Sequence, residues 1–182
     1  MIYTDRIFNI NQISEENISY AADIMKALQK KSGKATYIMP IPERAVFESG
    51  YETEKGKYSD FIEKLEASFS DPSVVLNPLS ELEKHQDEYI YFRTGNSWTM
   101  RGAFYGAQVI FGELGYDQEN LDGYREYVFG NFKGTLFREV SKKYSTDEIK
   151  KDIKNMEKEP FYIYINGSNH NGEKLTFENK EE

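Results

Sequence analysis

The sequence predicts an α/β fold, and three observations support this prediction. Short runs of strand-forming residues alternate with longer runs of helical periodicity, and glycine or proline punctuates both. One strand passes through a polar turn directly into a helix. Loops that follow strands usually carry the functional groups of α/β proteins. This strand–turn–helix is therefore the candidate centre of function.

The central segment spans residues 89–103 and contains the only tryptophan, Trp98. Its first four residues have strong strand preference, and a polar turn with one glycine follows. Thr99 or Ser97 is placed to cap the next helix, which would leave free backbone N–H groups facing the turn. The helix itself is indicated by apolar residues at the spacing of one face: Ala103, Ala107, Ile110, Phe111 and Leu114.

The central segment resembles the signature of the DHHW family, which is related to the alginate O-acetylation proteins and more distantly to the SGNH hydrolases. Members carry an aromatic strand, then Arg/Lys-Thr-Asp-His-His-Trp-Thr, then a helix that begins Gly-Ala. The matches here are Arg93-Thr94, Trp98-Thr99 and Gly102-Ala103, with a second matching block at Phe132-Lys133-Gly134-Thr135-Leu136.

The resemblance implies a layered SGNH-hydrolase-like (flavodoxin-like) α/β domain over residues 1–165. Residues 166–182 are expected to form a polar hairpin or tail. In relatives the nucleophilic serine lies further on, in a Lys-Asp-Ser-Tyr-like block that does not occur before Glu182. The domain is therefore expected to be C-terminally truncated.

Three positions depart from the signature: Gly95, Asn96 and Ser97 stand where the family has Asp, His and His. The resemblance assigns the Asp and the second His to the support of the catalytic serine. Removing members of such a unit costs on the order of 10⁶ in turnover. We therefore expect no catalytic residue in this chain and a domain that binds carbohydrate or a protein partner in polysaccharide acetylation.

The polar and aromatic residues of the turn are the candidates for ligand binding. Small polar groups beside the indole of Trp98 can hydrogen-bond a sugar, while the alternative for this indole is a core anchor behind the turn. For Arg93 and Arg101 the alternative to ligand binding is an ion pair with nearby glutamates. The predicted ligand-binding set is Tyr91, Arg93, Asn96, Ser97, Trp98 and Arg101.

Three other functions stay open. An enzyme could use Asp87, Glu88 or His170, although adjacent residues of an extended strand point to opposite sides. The second alternative function is self-association. An uncovered strand edge or apolar face needs a partner, and a homodimer would supply one. A hydrolase or O-acetyltransferase fragment that needs residues outside this chain is the third.

Composition excludes several partners and cofactors. The net charge of −8 argues against nucleic acid and anionic membrane surfaces. There is no cysteine for thiolate chemistry, and we predict no metal and no other cofactor. A lone His85 is expected to be solvated. The chain shows neither an export signal nor an apolar run long enough for membrane insertion, so an extracytoplasmic location follows from the resemblance alone.

The flanking elements are predicted from capping and periodicity. Ser14 caps a helix that ends near Gly33. The long loop of residues 41–57, which contains Arg44, is expected to be a binding loop, a lid or a plain solvated connection. The other predicted elements are a helix over 58–69, strands at 35–39, 74–76 and 161–165, a helix over 146–158 and a return strand at 174–178.

Overall fold

The computed structural model describes residues 6–8, 10, 14–118, 120–122, 124–143 and 159–166. Within these ranges the chain forms five α-helices, two short 3-10 helices and one pair of strands. The predicted elements at 146–158 and 174–178, and the predicted tail, lie outside them. The elements are α1 (Glu15–Ser32), α2 (Glu52–Glu66), α3 (Leu79–Glu83), α4 (Met100–Glu113), β1 (Tyr124–Phe132), α5 (Thr135–Lys143) and β2 (Glu159–Asn166), with 3-10 helices at Arg44–Phe47 and Pro72–Val74.

Helix α1 begins and ends where its sequence predicts. The side chain of Ser14 accepts a hydrogen bond from the backbone N–H of Asn17 at 3.2 Å. Gly33 ends the helix with φ of 64°, a left-handed conformation in which glycine carries no steric penalty. Acidic residues in the first turn and basic residues in the last complement the helix dipole.

Helix α2 builds the main core together with α1. Its buried residues Tyr58, Ile62 and Leu65 lie on the predicted face and pack with Ile18 and Ala22 of α1. Full burial of one such side chain contributes roughly 1.5–3 kcal/mol. The helix begins at Glu52, inside the predicted 41–57 loop, and a 3-10 helix occupies part of the remainder. The loop is therefore shorter and more ordered than predicted.

The described residues contain little sheet. Ile38 and Val75 form a single parallel bridge, closed by two backbone hydrogen bonds of 2.8 Å, where longer strands were predicted. Ile7 donates its backbone N–H to the carbonyl of Arg93 at 2.6 Å. The part of the chain that the structure describes is a mixed helical fold with these short extended contacts.

Strands β1 and β2 form an antiparallel pair. The predicted strand at 161–165 is confirmed as part of β2. Within the described residues it pairs with β1, and the return strand predicted at 174–178 lies outside them. The register shifts between Phe129 and Phe132, and the irregular end pairs Phe132 with Glu159. Glu159 contacts the central segment from this end of the sheet.

Candidate functional site

The central segment folds back on itself through its backbone. The N–H of Phe92 donates to the carbonyl of Ser97 at 3.2 Å, and the N–H of Thr99 donates to the carbonyl of Ile90 at 2.9 Å. Thr99, rather than Ser97, caps α4: its hydroxyl accepts from the N–H of Gly102 at 3.3 Å and donates to the carbonyl of Tyr89 at 2.6 Å. The turn, residues 93–98, is thus closed at its base.

A buried carboxylate holds the strand side of the turn. Glu159 is 0% exposed and accepts hydrogen bonds from the Tyr89 hydroxyl at 2.5 Å, the backbone N–H of Arg93 and the hydroxyl of Thr94. Burial, together with the hydrogen bond and charge of Glu159, raises the pKa of Tyr89, so this phenol stays protonated. Hydrogen bonds to a buried charge are among the stronger ones in proteins.

The second matching block supports the turn from behind. The backbone N–H of Gly134 donates to the hydroxyl of Thr94 at 3.1 Å, and the N–H of Phe137 donates to the Thr94 carbonyl at 3.2 Å. A Cβ atom at Gly134 would collide with the Thr94 carbonyl oxygen and lie 2.7 Å from the backbone nitrogen of Gly95. The two backbones can approach this closely only because residue 134 is glycine.

Trp98 anchors the turn on helix α4. A Cβ atom at Gly102 would lie 2.9 Å from the Cβ of Trp98, and one at Gly106 would lie 2.5 Å from its ring. The half-buried indole therefore lies in a trough made by two glycines one helical turn apart, and its other neighbours include Ile90. The buried residues of α4 include Gly102 and Gly106, so the helix packs mainly through this glycine face. The predicted apolar face is a different one, and its last residue, Leu114, is 49% exposed.

The predicted binding residues divide into a braced group and an exposed group. Tyr91 is buried, its hydroxyl donates to the carbonyl of Pro42 at 2.5 Å, and burial raises its pKa. Arg93 is half-buried, with its guanidinium 5.9 Å from the centre of the Tyr89 ring. Asn96 and Ser97 are exposed at the tip of the turn, beside half-buried Trp98.

Arg101 belongs to a second polar cluster, which surrounds Glu88. Its guanidinium donates to Glu88 at 2.7 Å and to Glu126 at 3.2 Å, so it forms the ion pairs considered as the alternative for this residue. His85 Nδ1 lies 2.7 Å from Glu88, and its ring stacks on Tyr105 at 3.5 Å. His85 is therefore half-buried and partnered, where it was predicted to be solvated.

Glu88 is stabilised in its ionised form. Burial alone would raise its pKa, but hydrogen bonds from His85, Tyr105 and Arg101 together outweigh burial and hold the pKa below its usual range. The pKa of Glu88 is lower in the folded protein than in the unfolded chain. Its contribution to stability is therefore complete above about pH 4.5 and is lost as the pH falls through the folded-state pKa. The cluster therefore stabilises the start of α4 at neutral pH.

Among the described residues, no nucleophilic hydroxyl completes a hydrolytic triad with the His85–Glu88 pair. In a triad the imidazole nitrogen remote from the carboxylate faces the nucleophilic hydroxyl. Here that nitrogen faces the carboxylate of Glu81 at 3.7 Å, and the hydroxyl that contacts Glu88 is the phenol of Tyr105. Of the other proposed groups, Asp87 is exposed and His170 lies outside the described residues.

The described residues contain neither a cluster of metal-ligating side chains nor a membrane-spanning helix. No group of three or more acidic, histidine or cysteine side chains within them is arranged to hold a metal ion. Among the described helices, none combines the length and the apolar character that crossing a bilayer requires.

Comparison with known proteins identifies the class that this fold and turn define. The family model described as "DHHW protein" matches residues 4–161. The chain therefore belongs to the DHHW family, as the signature at residues 93–103 predicted. The comparison with curated proteins found no match.

Three solved structures share the fold. A DHHW family protein from Eubacterium siraeum is 24% identical with a TM-score of 0.66, over 87% of this chain and 50% of that one. The O-acetyltransferase domain of Pseudomonas putida AlgJ is 13% identical with a TM-score of 0.57, over 82% and 55%. Bacillus cereus PatB1 is 17% identical with a TM-score of 0.54, over 92% and 59%. The chain thus spans about half the length of these structures.

Proposed function

We propose that this chain is a DHHW-family domain that binds carbohydrate at the 93–98 turn and does not catalyse acyl transfer by itself. One observation carries the proposal: the turn is braced on three sides, yet positions 95–97 hold glycine, asparagine and serine, of which Asn96 and Ser97 are exposed at the tip. Glu159 and Gly134 hold its first half, and the Thr99 cap closes its second. Glycine has no side chain, and neither the amide of Asn96 nor the hydroxyl of Ser97 can act as a proton carrier near neutral pH.

The proposed setting is the modification of cell-envelope polysaccharides by acetyl groups. One structural relative is an O-acetyltransferase domain, which favours this setting. We also assign the chain to the layered SGNH-like architecture, with the parallel bridge between Ile38 and Val75 as a remnant of the central sheet. That assignment is also supported by a second extended contact, the hydrogen bond from the N–H of Ile7 to the carbonyl of Arg93.

The exposed tip offers suitable chemistry for a sugar. The amide of Asn96 both donates and accepts hydrogen bonds, as does the hydroxyl of Ser97, and sugar hydroxyls require both capacities. The exposed part of the half-buried Trp98 indole provides an aromatic surface for a pyranose ring. Arg93 flanks this surface, while Tyr91 and Arg101 act by holding the strand and the helix in place.

Binding at the tip can be measured through the single tryptophan. In titrations with acetylated and with plain glycan oligosaccharides, we expect the emission of Trp98 to change in at least one series. Replacing Asn96 with alanine should weaken binding by about fivefold to tenfold, which corresponds to one lost hydrogen bond. Ser32→Ala on α1 is the matched control and should leave the affinity unchanged. Unchanged emission in both series would remove the support for this proposal.

Catalysis is tested separately with nitrophenyl acetate and acetylated glycans. We expect the wild-type rate to equal the buffer rate, and His85→Ala to have no effect. A rate above buffer that falls with His85→Ala would contradict inactivity and assign the chemistry to the Glu88 cluster. Turnover that appears only when the second half of a longer relative is added would instead favour the alternative of a fragment that needs residues outside this chain.

A second function, self-association, is favoured by one exposed surface. Tyr20, Ile24 and Leu28 are 68%, 44% and 50% exposed and recur every fourth residue of α1, so they form one apolar stripe. The stripe is centred on Ile24, which is also near the middle of the helix. An antiparallel second copy would place Tyr20 opposite Leu28 and Ile24 opposite itself.

The charges of α1 favour the same partner. Its first turn is acidic and its last turn is basic, so antiparallel pairing brings Glu16 of one copy near Lys31 of the other. Both residues share the side of the helix that carries the stripe. A second copy of this chain therefore complements the stripe in shape and in charge.

Sedimentation equilibrium tests this interface. We expect the average mass to rise above 21.2 kDa with concentration, and Ile24→Glu to abolish the rise because it buries a charge at the dyad. Ser19→Glu, which adds the same charge off the stripe, should dimerise normally. Glu16→Lys should weaken the dimer, and adding Lys31→Glu should restore it. A monomer at every concentration would exclude the interface.

A further inference from the structure

A pocket of about 240 Å³ lies between residues 40–46 and helix α2. Nothing in the proposed function uses it, and no residue of the 93–98 turn lines it. Most of its wall is apolar and is formed by Pro40, Ile41, Ala45, Val46, Tyr58 and Phe61. A cavity of about 150 Å³ is known to hold a six-membered ring. This pocket is therefore large enough for one apolar side chain or ring.

The charged residues at the pocket have partners within the protein. Lys57 Nζ donates to Glu54 Oε1 at 2.6 Å. Glu43 also has an interaction within the protein. A charged ligand would have to compete with these contacts, whereas an uncharged apolar group gains free energy in proportion to the apolar area that it removes from water. The pocket therefore suits an uncharged apolar group.

One wall of the pocket is an extended segment of residues 40–43. Pro40 and Pro42 fix their own φ angles near −65°. Ile41 precedes a proline, so the helical conformation is disfavoured at this residue as well. Glu43 has φ of −76° and ψ of 159°. Because the sequence itself restricts this backbone, the segment holds its extended conformation before any ligand binds.

The segment is fixed to the protein on both sides of Ile41. The Tyr58 hydroxyl donates to the carbonyl of Pro40 at 2.8 Å, and the Tyr91 hydroxyl donates to the carbonyl of Pro42 at 2.5 Å. Ile41 itself is 47% exposed, and within the described part of the chain its N–H and C=O have no hydrogen-bond partner. One residue at the edge of the pocket thus offers a backbone donor and a backbone acceptor.

We propose that this pocket binds an extended peptide segment through one uncharged apolar side chain. A residue of the peptide pairs with Ile41 by exchanging both backbone hydrogen bonds, as residues opposite each other do in an antiparallel pair. The side chains of two such residues lie on the same side, with their Cβ atoms about 5 Å apart. The peptide side chain therefore lies beside that of Ile41, which lines the pocket.

A peptide uses both features of the site, and other ligands use one or neither. A small apolar molecule would fill the pocket but leave the backbone groups of Ile41 to water. A sugar would bring hydroxyl groups against an apolar wall that offers them few partners. The predicted 41–57 loop, for which binding was one of three alternatives, thereby receives a ligand class that is independent of glycan binding at the turn.

Titration of the full chain with blocked pentapeptides tests the site by calorimetry and amide NMR. In the host Ac-Thr-Thr-X-Thr-Thr-NH₂, X is leucine, alanine or aspartate. We expect the leucine peptide to bind in the millimolar range and the other two to bind at least about fivefold more weakly. The amide proton of Ile41 should shift downfield, because its N–H gains an acceptor.

A peptide that is N-methylated at the leucine tests the backbone pairing. It keeps the apolar side chain but lacks the N–H that donates to the carbonyl of Ile41, so its affinity should fall by about fivefold. Unchanged affinity would show that the pocket takes an apolar group without peptide pairing, and would overturn the proposal. Equal affinity of the leucine and alanine peptides would overturn it as well.

Two matched variants locate the site. Ile41→Asn removes apolar wall at an exposed position and should weaken binding of the leucine peptide by about fivefold, with an unchanged melting temperature. Leu114→Asn makes the corresponding change at a residue that is 49% exposed and does not line the pocket, so it should bind the peptide normally. Equal affinity of the two variants would overturn the location.

Discussion

Replacing Glu159 with alanine is expected to lower the free energy of unfolding by about 3–5 kcal/mol. The carboxylate is fully buried, and its removal leaves the hydroxyls of Tyr89 and Thr94 and the N–H of Arg93 without their acceptor. An unsatisfied buried donor costs more than the hydrogen bond contributed. Urea unfolding followed by tryptophan fluorescence measures the change directly.

Two controls separate this effect from a general loss of charge. Glu126→Ala removes a carboxylate that is exposed to solvent and forms a surface ion pair of 3.2 Å with Arg101, and should change stability by about 0.5 kcal/mol or less. Glu159→Gln keeps the shape and one acceptor oxygen, and should fall between alanine and wild type. A Glu159→Ala variant as stable as Glu126→Ala would show that the carboxylate does not hold the turn.

Gly102→Ala is expected to destabilise the protein by about 2–3 kcal/mol. The new Cβ atom would collide with the carbonyl oxygen of Ile90 and lie 2.9 Å from the Cβ of Trp98. The carbonyl is part of the backbone that receives the Thr99 N–H, so it cannot simply rotate away. The displaced indole should become more exposed, and its emission should shift to longer wavelength.

Gly112 offers a matched control on the same helix. A Cβ atom there meets no described atom within 4 Å, so Gly112→Ala should gain helix propensity and stabilise the protein by up to about 1 kcal/mol. If Gly102→Ala lowers the free energy of unfolding and Gly112→Ala raises it, close packing rather than helix propensity is the reason for glycine at position 102. A stabilised Gly102→Ala variant would contradict the position of Trp98 in the glycine trough.

The two substitutions also test how the turn is built. Glu159 holds its strand side and Gly102 its helix side, so either variant should disorder the tip that carries Asn96 and Ser97. Glycan affinity should then fall even though no ligand contact has been removed.

Local sequence signals predicted helix α1 and the buried face of α2, because caps and periodicity act between neighbours, but they did not predict α5. Ser14 and Gly33 fix the ends of α1, and the apolar spacing of α2 fixes its buried face. Strands were predicted less well. The run around Ile38 forms only one bridge, because a strand depends on partners that its own residues do not specify.

The family and the candidate turn followed from residues 93–103 and the block at 132–136, since both are contiguous in the chain. The support of the turn by Glu159 did not, because this carboxylate meets Thr94 from 65 residues away and no local pattern marks it. The burial of Tyr91, whose hydroxyl meets the carbonyl of Pro42, was hidden for the same reason, whereas an ion pair of Arg101 with a nearby glutamate was one of the predicted alternatives. Local order in the chain specifies which residues form the turn, whereas only packing between distant segments specifies which of them face solvent.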